Sequence, residues 1–223
     1  GIDEPAAAAS IDRLLTTTNG PLRLLHALND GLFPEQVAKA AVARAAQHSD
    51  AQVRDLFEAF LPESERVQRL GNVFDPQAIL SLPGDVHRGE VLFFKTAGIQ
   101  CQNCHRIKGK GREVGPQLTP VGNKSDREKI LESIINPSKT IDEKFSTYLV
   151  ETSRGLVHAG LLVEKTDREV VLKNNQNELV RIPAEEVELM VKQNKSLMPE
   201  LLLRDVTAQQ AADLLAYLSS LKE

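Results

Sequence analysis

The chain has 223 residues, of which 41% are hydrophobic and 26% are charged, and its formal net charge is -4. These values are typical of a globular protein with one large or two small cores, and the acidic balance argues against nucleic-acid binding. No apolar stretch reaches the ~20 residues of a membrane-spanning helix, and two cysteines are too few for a disulfide scaffold or a four-cysteine zinc site.

The first 70 residues predict short helices joined by tight turns. Segments with apolar residues three and four apart alternate with breakers such as Asn19-Gly20-Pro21 and Asp30-Gly31. Ser49-Asp50 is placed to cap a further amphipathic helix. We expect residues 1–70 to form a helical domain, either a bundle or HEAT-like helical pairs. Residues 71–84, which are punctuated by proline and glycine, are expected to form a connector.

Residues 85–223 are predicted to begin and end with helices. Apolar spacing predicts a helix from Asp85 to Ala97 and another from Asp126 to Ile135, and a capping box begins the last helix at Thr207. From about residue 145 to 191 the apolar pattern changes to period two, with turn residues between four short segments. The predicted fold class is therefore mainly α, with a small antiparallel β insertion in the second domain.

The sequence Cys101-Gln102-Asn103-Cys104-His105 is the strongest motif in the chain. Two thiols at this spacing can form thioether bonds to the two vinyl groups of one haem, and the adjacent histidine can bind its iron. The motif therefore predicts one covalently bound haem c. A redox dithiol, a zinc site and a chance match stay open as alternatives. A redox dithiol normally follows a strand, however, and the chain has no further cysteine for zinc.

Two later segments fit a haem site. Pro116, eleven residues after His105, can offer its carbonyl to the outer nitrogen of that imidazole, and Leu118 can pack on the haem edge. Met198, in a Ser-Leu-Met-Pro loop, is the predicted second axial ligand. Met190, which alternates with apolar neighbours, a histidine and an open position stay open as alternatives for that ligand.

Together these motifs resemble class I cytochrome c. Gly89 and Phe93 precede the haem motif, Gly115-Pro116-x-Leu118 follows it, and Tyr217 lies on the last helix. The resemblance implies that the first and last helices of the domain cross. The small Gly89 would then let the aromatic Tyr217 approach, and Phe93 would pack nearby. Residues 85–223 are accordingly expected to form a class I cytochrome c-like domain.

The resemblance is closer still to the planctomycete/verrucomicrobial-type cytochrome c domain, over roughly residues 54–222. The stretches that carry it are Arg54-Asp55-Leu56-Phe57, Leu70-Gly71, Gly84-Asp85, Ile134-Ile135-Asn136-Pro137-Ser138 and Ser196-Leu197-Met198-Pro199. A β insertion before the Met198 loop is also similar to that type. This resemblance implies a redox module of a larger exported protein, placed behind HEAT-like repeats or a sugar-dehydrogenase-like propeller.

The predicted function is one-electron transfer through a single haem, in the periplasm or another extracytoplasmic compartment. The expected partner is a redox protein or a fused dehydrogenase domain, for which the module would accept electrons without being an enzyme itself. A haem-based sensor or small-ligand-binding domain is the alternative function. The basic stretch from Arg106 to Lys129 is either a solvated loop or a surface that steers an acidic partner or pairs with haem propionates.

Overall fold

The computed structural model describes residues 4–95 and 99–222, and the expected helix end at Ala97 lies outside them. The helices are α1 Glu4–Leu15, α2 Gly20–Asn29, α3 Glu35–Ala46, α4 Ala51–Phe57, α5 Pro76–Leu80, α6 Val86–Lys95, α7 Val121–Lys124, α8 Arg127–Ile135 and α9 Ala208–Ser220. The strands are β1 Arg106–Ile107, β2 Lys110–Gly111, β3 Thr147–Thr152, β4 Val157–Lys165, β5 Glu169–Lys173, β6 Leu179–Pro183 and β7 Val187–Lys192. The chain divides into two compact units between Gln68 and Arg69. None of the helices in the described ranges is long and apolar enough to cross a membrane.

The first unit contains α1 to α4 around a core of its own. Its buried apolar side chains are Ile11, Leu15, Leu24, Val37, Ala41, Ala45 and Phe57. The Asp50 side chain accepts a hydrogen bond from the Gln52 backbone N–H at 2.9 Å and caps α4. Both oxygens of Asp12 on α1 accept from Arg44 on α3, at 2.7 and 2.6 Å. The HEAT-like character of these helices stays a prediction.

The core of the second unit is built where α6 and α9 cross. A Cβ added at Gly89 would lie 2.0 Å from the Asp213 carbonyl oxygen, so only glycine permits this close approach of the two helices. The rings of Phe93 and Tyr217 lie 6.0 Å apart in the same crossing, and both side chains are buried. The expected contact of Gly89 and Phe93 with Tyr217 is confirmed.

Residues 71–84 differ from the connector expected from the sequence. Asp75 accepts a hydrogen bond from the Gln77 N–H at 2.9 Å and caps α5, in which Pro76 is the first residue. Ile79 of this helix is fully buried in the core of the second unit. The Leu70 N–H donates to the Val206 carbonyl at 2.9 Å, just before α9. This segment therefore belongs to the second unit, because its side chains complete that unit's core.

The inserted sheet has five antiparallel strands in the order β6-β5-β4-β3-β7. The fifth strand, β7, is one more than the four expected, and it pairs with β3 so that Met190 lies opposite Val150. One face of the sheet forms its own apolar cluster, whose buried members are Val150, Val170, Leu172 and Ile182. Leu161 on β4 pairs with Thr147 and lies on the other face, where only 7% of its surface is exposed.

Candidate functional site

The cysteine motif, which follows α6 in the chain, forms a single tight turn. Cys101–Asn103 make a 3-10 turn that is entered through Gln100, whose φ is 46°. The His105 N–H donates to the Cys101 carbonyl at 2.9 Å, which closes the turn. The Gln102 side-chain amide donates to the Phe94 carbonyl on α6. The motif is therefore held in place by the helix that crosses α9.

The loop that follows is fastened to the motif by main-chain hydrogen bonds. The N–H groups of Val114 and Gly115 both donate to the Cys104 carbonyl, at 3.0 and 2.8 Å. The Leu118 N–H donates to the Arg106 carbonyl at 2.9 Å. These bonds satisfy backbone groups that would otherwise be unpaired, and they bring Pro116 back to the motif.

The His105 imidazole is fixed in one orientation. Its Nδ1 lies 2.8 Å from the Pro116 carbonyl oxygen, so Nδ1 carries the hydrogen and Nε2 keeps its lone pair. A Cβ at Gly115 would lie 2.6 Å from Cε1 of the ring. Burial lowers the pKa of His105, although the hydrogen bond to Pro116 acts in the opposite direction. The neutral imidazole therefore presents Nε2 as a metal-binding atom.

A cavity of about 390 Å³ lies beside this imidazole, and its wall is mostly apolar. Five of the six predicted site residues contribute to the wall, namely Cys104, His105, Pro116, Leu118 and Met198. Cys101, the sixth, packs against the core of the second unit. The structure thus brings the Met198 thioether, which lies far away in the sequence, to the same apolar cavity as the adjacent Cys104 thiol and His105 imidazole.

The two methionines have different surroundings. The Met198 loop is tied to the segment after α8, because the Ser196 N–H donates to the Ser138 hydroxyl at 3.2 Å and the Met198 N–H donates to the Ser196 hydroxyl at 3.1 Å. Met190 packs against the apolar cluster of the sheet. In the described cavity wall only Met198 supplies a thioether.

The two thiols differ from those of a redox dithiol. Burial raises the pKa of Cys101 to about 12 and also raises the pKa of Cys104. A redox dithiol instead needs a thiolate that is stabilised near neutral pH. Within residues 4–95 and 99–222, no three or more His, Cys, Asp or Glu side chains are grouped to hold a metal ion.

The sheet supplies wall residues that sequence reasoning missed. Phe145, just before β3, and Leu161 on β4 both line the cavity. The Lys173 ammonium on β5 donates to the Glu113 carbonyl at 3.0 Å, which ties the sheet to the loop after the motif. The available signal was the consecutive apolar pair Leu161-Leu162, because a stretch of strand that is covered on both faces loses its alternation there.

A sequence model of one protein family, described as cytochrome c, matches residues 86–222. The match extends from the first residue of α6 to just beyond α9, and it includes the cysteine motif, the cavity wall and the sheet. No curated protein matches the chain.

Proposed function

Because the chain belongs to the cytochrome c family over residues 86–222, we propose that it is a single-haem electron-transfer module. The observation that carries the proposal is the environment of His105. Its Nδ1 is engaged by the Pro116 carbonyl at 2.8 Å, and its ring lies in the wall of an apolar cavity that also contains the Met198 thioether. A histidine nitrogen and a methionine sulfur are the pair of iron ligands found in cytochromes c.

The residues present fit this cofactor. Cys101 and Cys104 would hold it through thioether bonds, and His105 and Met198 would bind its iron. When bound, the haem supplies a ferric/ferrous couple for one-electron transfer. The apolar wall excludes water, and together with a thioether ligand this favours the ferrous state and raises the midpoint potential.

The chain's own residues would hold the side chains of His105 and Met198 in place in both oxidation states. The Pro116 carbonyl selects the His105 tautomer, and the absence of a side chain at Gly115 leaves room for the ring. The hydrogen bond between the Ser196 hydroxyl and the Met198 N–H restrains the second ligand loop. Ligands held in this way change little between oxidation states, which suits rapid electron exchange.

We further propose that the domain is of the planctomycete/verrucomicrobial type. A five-stranded sheet between α8 and the Met198 loop supports this assignment, as do the sequence stretches that resemble that type. On this proposal the helices of the first unit are HEAT-like. The module would act in an extracytoplasmic compartment as part of a larger exported protein, and its partner would be a fused dehydrogenase domain or a separate redox protein.

Mass spectrometry under denaturing conditions tests the covalent attachment. The chain is produced together with a haem-attachment system, and we expect the added mass of one haem. The double variant Cys101→Ser, Cys104→Ser should lose that mass because both thioether sulfurs are gone. An unmodified native chain that forms a reversible disulfide would contradict the proposal and favour a thiol–disulfide module.

Carbon monoxide binding to the reduced holoprotein tests the second axial ligand. We expect no binding by the native protein, since Met198 would already bind the iron, and clear binding by Met198→Leu. Met190→Leu is the matched control and should behave as the native protein, because Met190 packs within the sheet. Ready binding by the native protein would instead identify a sensor or a small-ligand-binding domain.

A further inference from the structure

The inserted sheet has an apolar surface that is open to solvent. On one face of the sheet, the residues that lie opposite one another on β4, β3 and β7 form two neighbouring rows. The rows are Val157–Glu151–Leu189 and Ala159–Leu149–Val191, and together they are called the open face. Val157 is 57% exposed, Leu189 is 47% exposed and Val191 is 39% exposed.

An open face of this composition is unusual for an antiparallel sheet. The other face already packs into an apolar cluster around Val150 and Leu172. A sheet with one buried face normally has polar side chains on the other face, whereas five of the six residues of the open face are apolar. A contiguous apolar surface of this kind marks an interaction site.

The open face continues into the wall of the cavity. Leu161 follows Ala159 on the same face of β4, about 7 Å further along the strand. Leu161 lines the cavity beside His105 and Met198. A protein that binds to the open face would therefore lie next to the proposed haem site, where an electron donor or acceptor has to approach.

The charge of the open face indicates which kind of partner fits it. Glu151 is half-buried between Val157 and Leu189. Within the ranges that the structure describes, its carboxylate has no hydrogen-bond or ion-pair partner. Two copies of the chain that met through this face would bring two such carboxylates together, and like charges repel. A partner with a cation at this point would instead form an ion pair with Glu151.

We propose that the open face is the docking surface for the redox partner, and that this partner presents apolar side chains around a lysine or arginine that pairs with Glu151. The inference rests on the proposed function, because it requires electron transfer at the neighbouring cavity. The small size of the surface suits a transient redox encounter, which buries less area than a stable complex. Contact with apolar side chains removes water from Glu151 and strengthens its attraction to the cation.

Titration of the ferric holoprotein with tris(phenanthroline)cobalt(III) tests the chemistry of the open face. This complex is a cation with an aromatic surface, and it cannot oxidise a haem that is already ferric, so the backbone amide NMR shifts report binding alone. We expect the amide shifts of Val157 and Leu189 to change. Glu151→Gln should weaken binding about threefold because an ion pair is lost. Val157→Ser should weaken it about twofold because apolar contact is lost.

Two matched controls lie at the other end of β4. Glu164→Gln removes an exposed carboxylate, and Val163→Ser changes a valine that is 52% exposed. Neither residue belongs to the open face, and both variants should bind the complex as the native protein does.

The same complex can also oxidise the ferrous holoprotein. One electron then passes from the ferrous haem to cobalt(III), which becomes cobalt(II). At low concentrations of the complex, the rate should fall in Glu151→Gln and Val157→Ser by the same factors as the binding. Hexacyanoferrate(III), an anion without an apolar surface, should oxidise neither variant more slowly than the native protein.

The outcomes separate this inference from the proposed function. Each sample is first checked for covalent haem by mass, and absence of haem from the native protein contradicts the proposed function. With haem attached, losses of binding and rate that are confined to the two open-face variants support the docking surface. Equal losses in the control variants, or shift changes only outside the open face, would overturn it. A dimer in sedimentation that Val157→Ser dissociates would also overturn it, because a second copy would then cover this face.

Discussion

At the residue scale, the proposed function depends on how the His105 imidazole is held. The His105 ring is restrained on one edge by the Pro116 carbonyl and on another by the close approach of Gly115. Neither contact is a metal bond, yet both determine where Nε2 lies. The backbone position of Pro116 and the absence of a side chain at Gly115 therefore set the orientation of the His105 ring.

Gly115→Ala should displace the His105 ring. The new Cβ would lie 2.6 Å from Cε1 and 3.0 Å from Nδ1 of the imidazole, which is too close for either atom to stay in place. We expect a loss of about 1–3 kcal/mol in the free energy of unfolding, as for other overpacked sites. The Nδ1 proton of His105, observed by NMR, should also exchange faster with solvent, because its hydrogen bond to the Pro116 carbonyl is broken.

Gly155→Ala is the control for replacing a glycine elsewhere. No other atom lies within 4 Å of a Cβ built at Gly155, and its φ of +73° adds only backbone strain. It should reduce stability without changing the His105 resonance. An unchanged His105 resonance in Gly115→Ala would show that Gly115 does not restrain the ring.

At the element scale, the crossing of α6 and α9 contains a buried carboxylate. Asp213 on α9 is 2% exposed, and it accepts hydrogen bonds from the Arg88 side chain at 2.7 and 2.9 Å and from the Asp85 N–H at 2.8 Å. Burial acts to raise the pKa of Asp213, but the bonds from Arg88 and Asp85 outweigh it, so the pKa lies below its ordinary value. The ionised carboxylate thus stabilises the folded state.

Asp213→Asn should destabilise the protein in a pH-dependent way. Since the folded-state pKa is lowered, the stabilisation is complete above the ordinary pKa of an aspartate and is lost as the pH falls through the lowered value. Urea unfolding at neutral pH should show a loss of about 1.5–3 kcal/mol, the range for hydrogen bonds to a charged group. The difference in the free energy of unfolding between the variant and the native protein should be constant down to mildly acidic pH and should then become smaller in stronger acid.

Asp205→Asn is the control, because it removes an exposed carboxylate instead of the buried carboxylate of Asp213. Asp205 pairs with Arg204 at 3.0 Å, but its side chain is 68% exposed, so the pair contributes little. Its substitution should leave stability nearly unchanged at every pH. A difference between Asp213→Asn and the native protein that grows in acid would contradict the stated sign.

The inserted sheet should affect the midpoint potential of the holoprotein through Leu161, which lines the cavity. Leu161→Ala removes apolar volume from the wall and admits water, which stabilises the ferric state. The midpoint potential of the holoprotein should fall, as measured by redox titration. Val163→Ala on the same strand is the control, because Val163 is 52% exposed and should have little effect. Equal potentials in both variants would mean that the sheet does not shield the cofactor.

Local sequence signals predicted elements well where a few adjacent residues determine the structure. The capping box at Thr207 is confirmed, because it depends only on residues three positions apart. The prolines and glycines of residues 71–84 predict a connector, yet Asp75-Pro76 starts α5, since proline is tolerated at a first helical position. Strand β7 was missed because its pairing with β3 joins residues about forty positions apart.

The site itself could be predicted only in part for the same reason. The cysteine motif is local, and the contact of His105 with Pro116 follows from a short loop. The contribution of Leu161 to the wall depends on the packing of an entire sheet against that loop. The pattern of apolar residues within β4 does not indicate which element will pack against the second face of the strand.

At the scale of the whole molecule, the two compact units have separate cores. The first is built from α1 to α4, and the second includes the segment that begins at Arg69. Arg69 itself bridges to Thr207, immediately before α9. The residues needed for the second core and for the cavity therefore lie between residues 69 and 222.

A chain that begins at residue 69 should consequently fold and attach haem without the first unit. We expect one covalently bound haem, a midpoint potential equal to that of the full chain, and a single cooperative thermal transition. The full chain should show that transition together with a second one from residues 1–68, since each unit buries its own apolar cluster. A shorter chain that begins at residue 85 is the control and should be much less stable, because it lacks the buried Ile79. If the chain from residue 69 failed to attach haem while the full chain succeeded, the first unit would have to be part of the electron-transfer module itself.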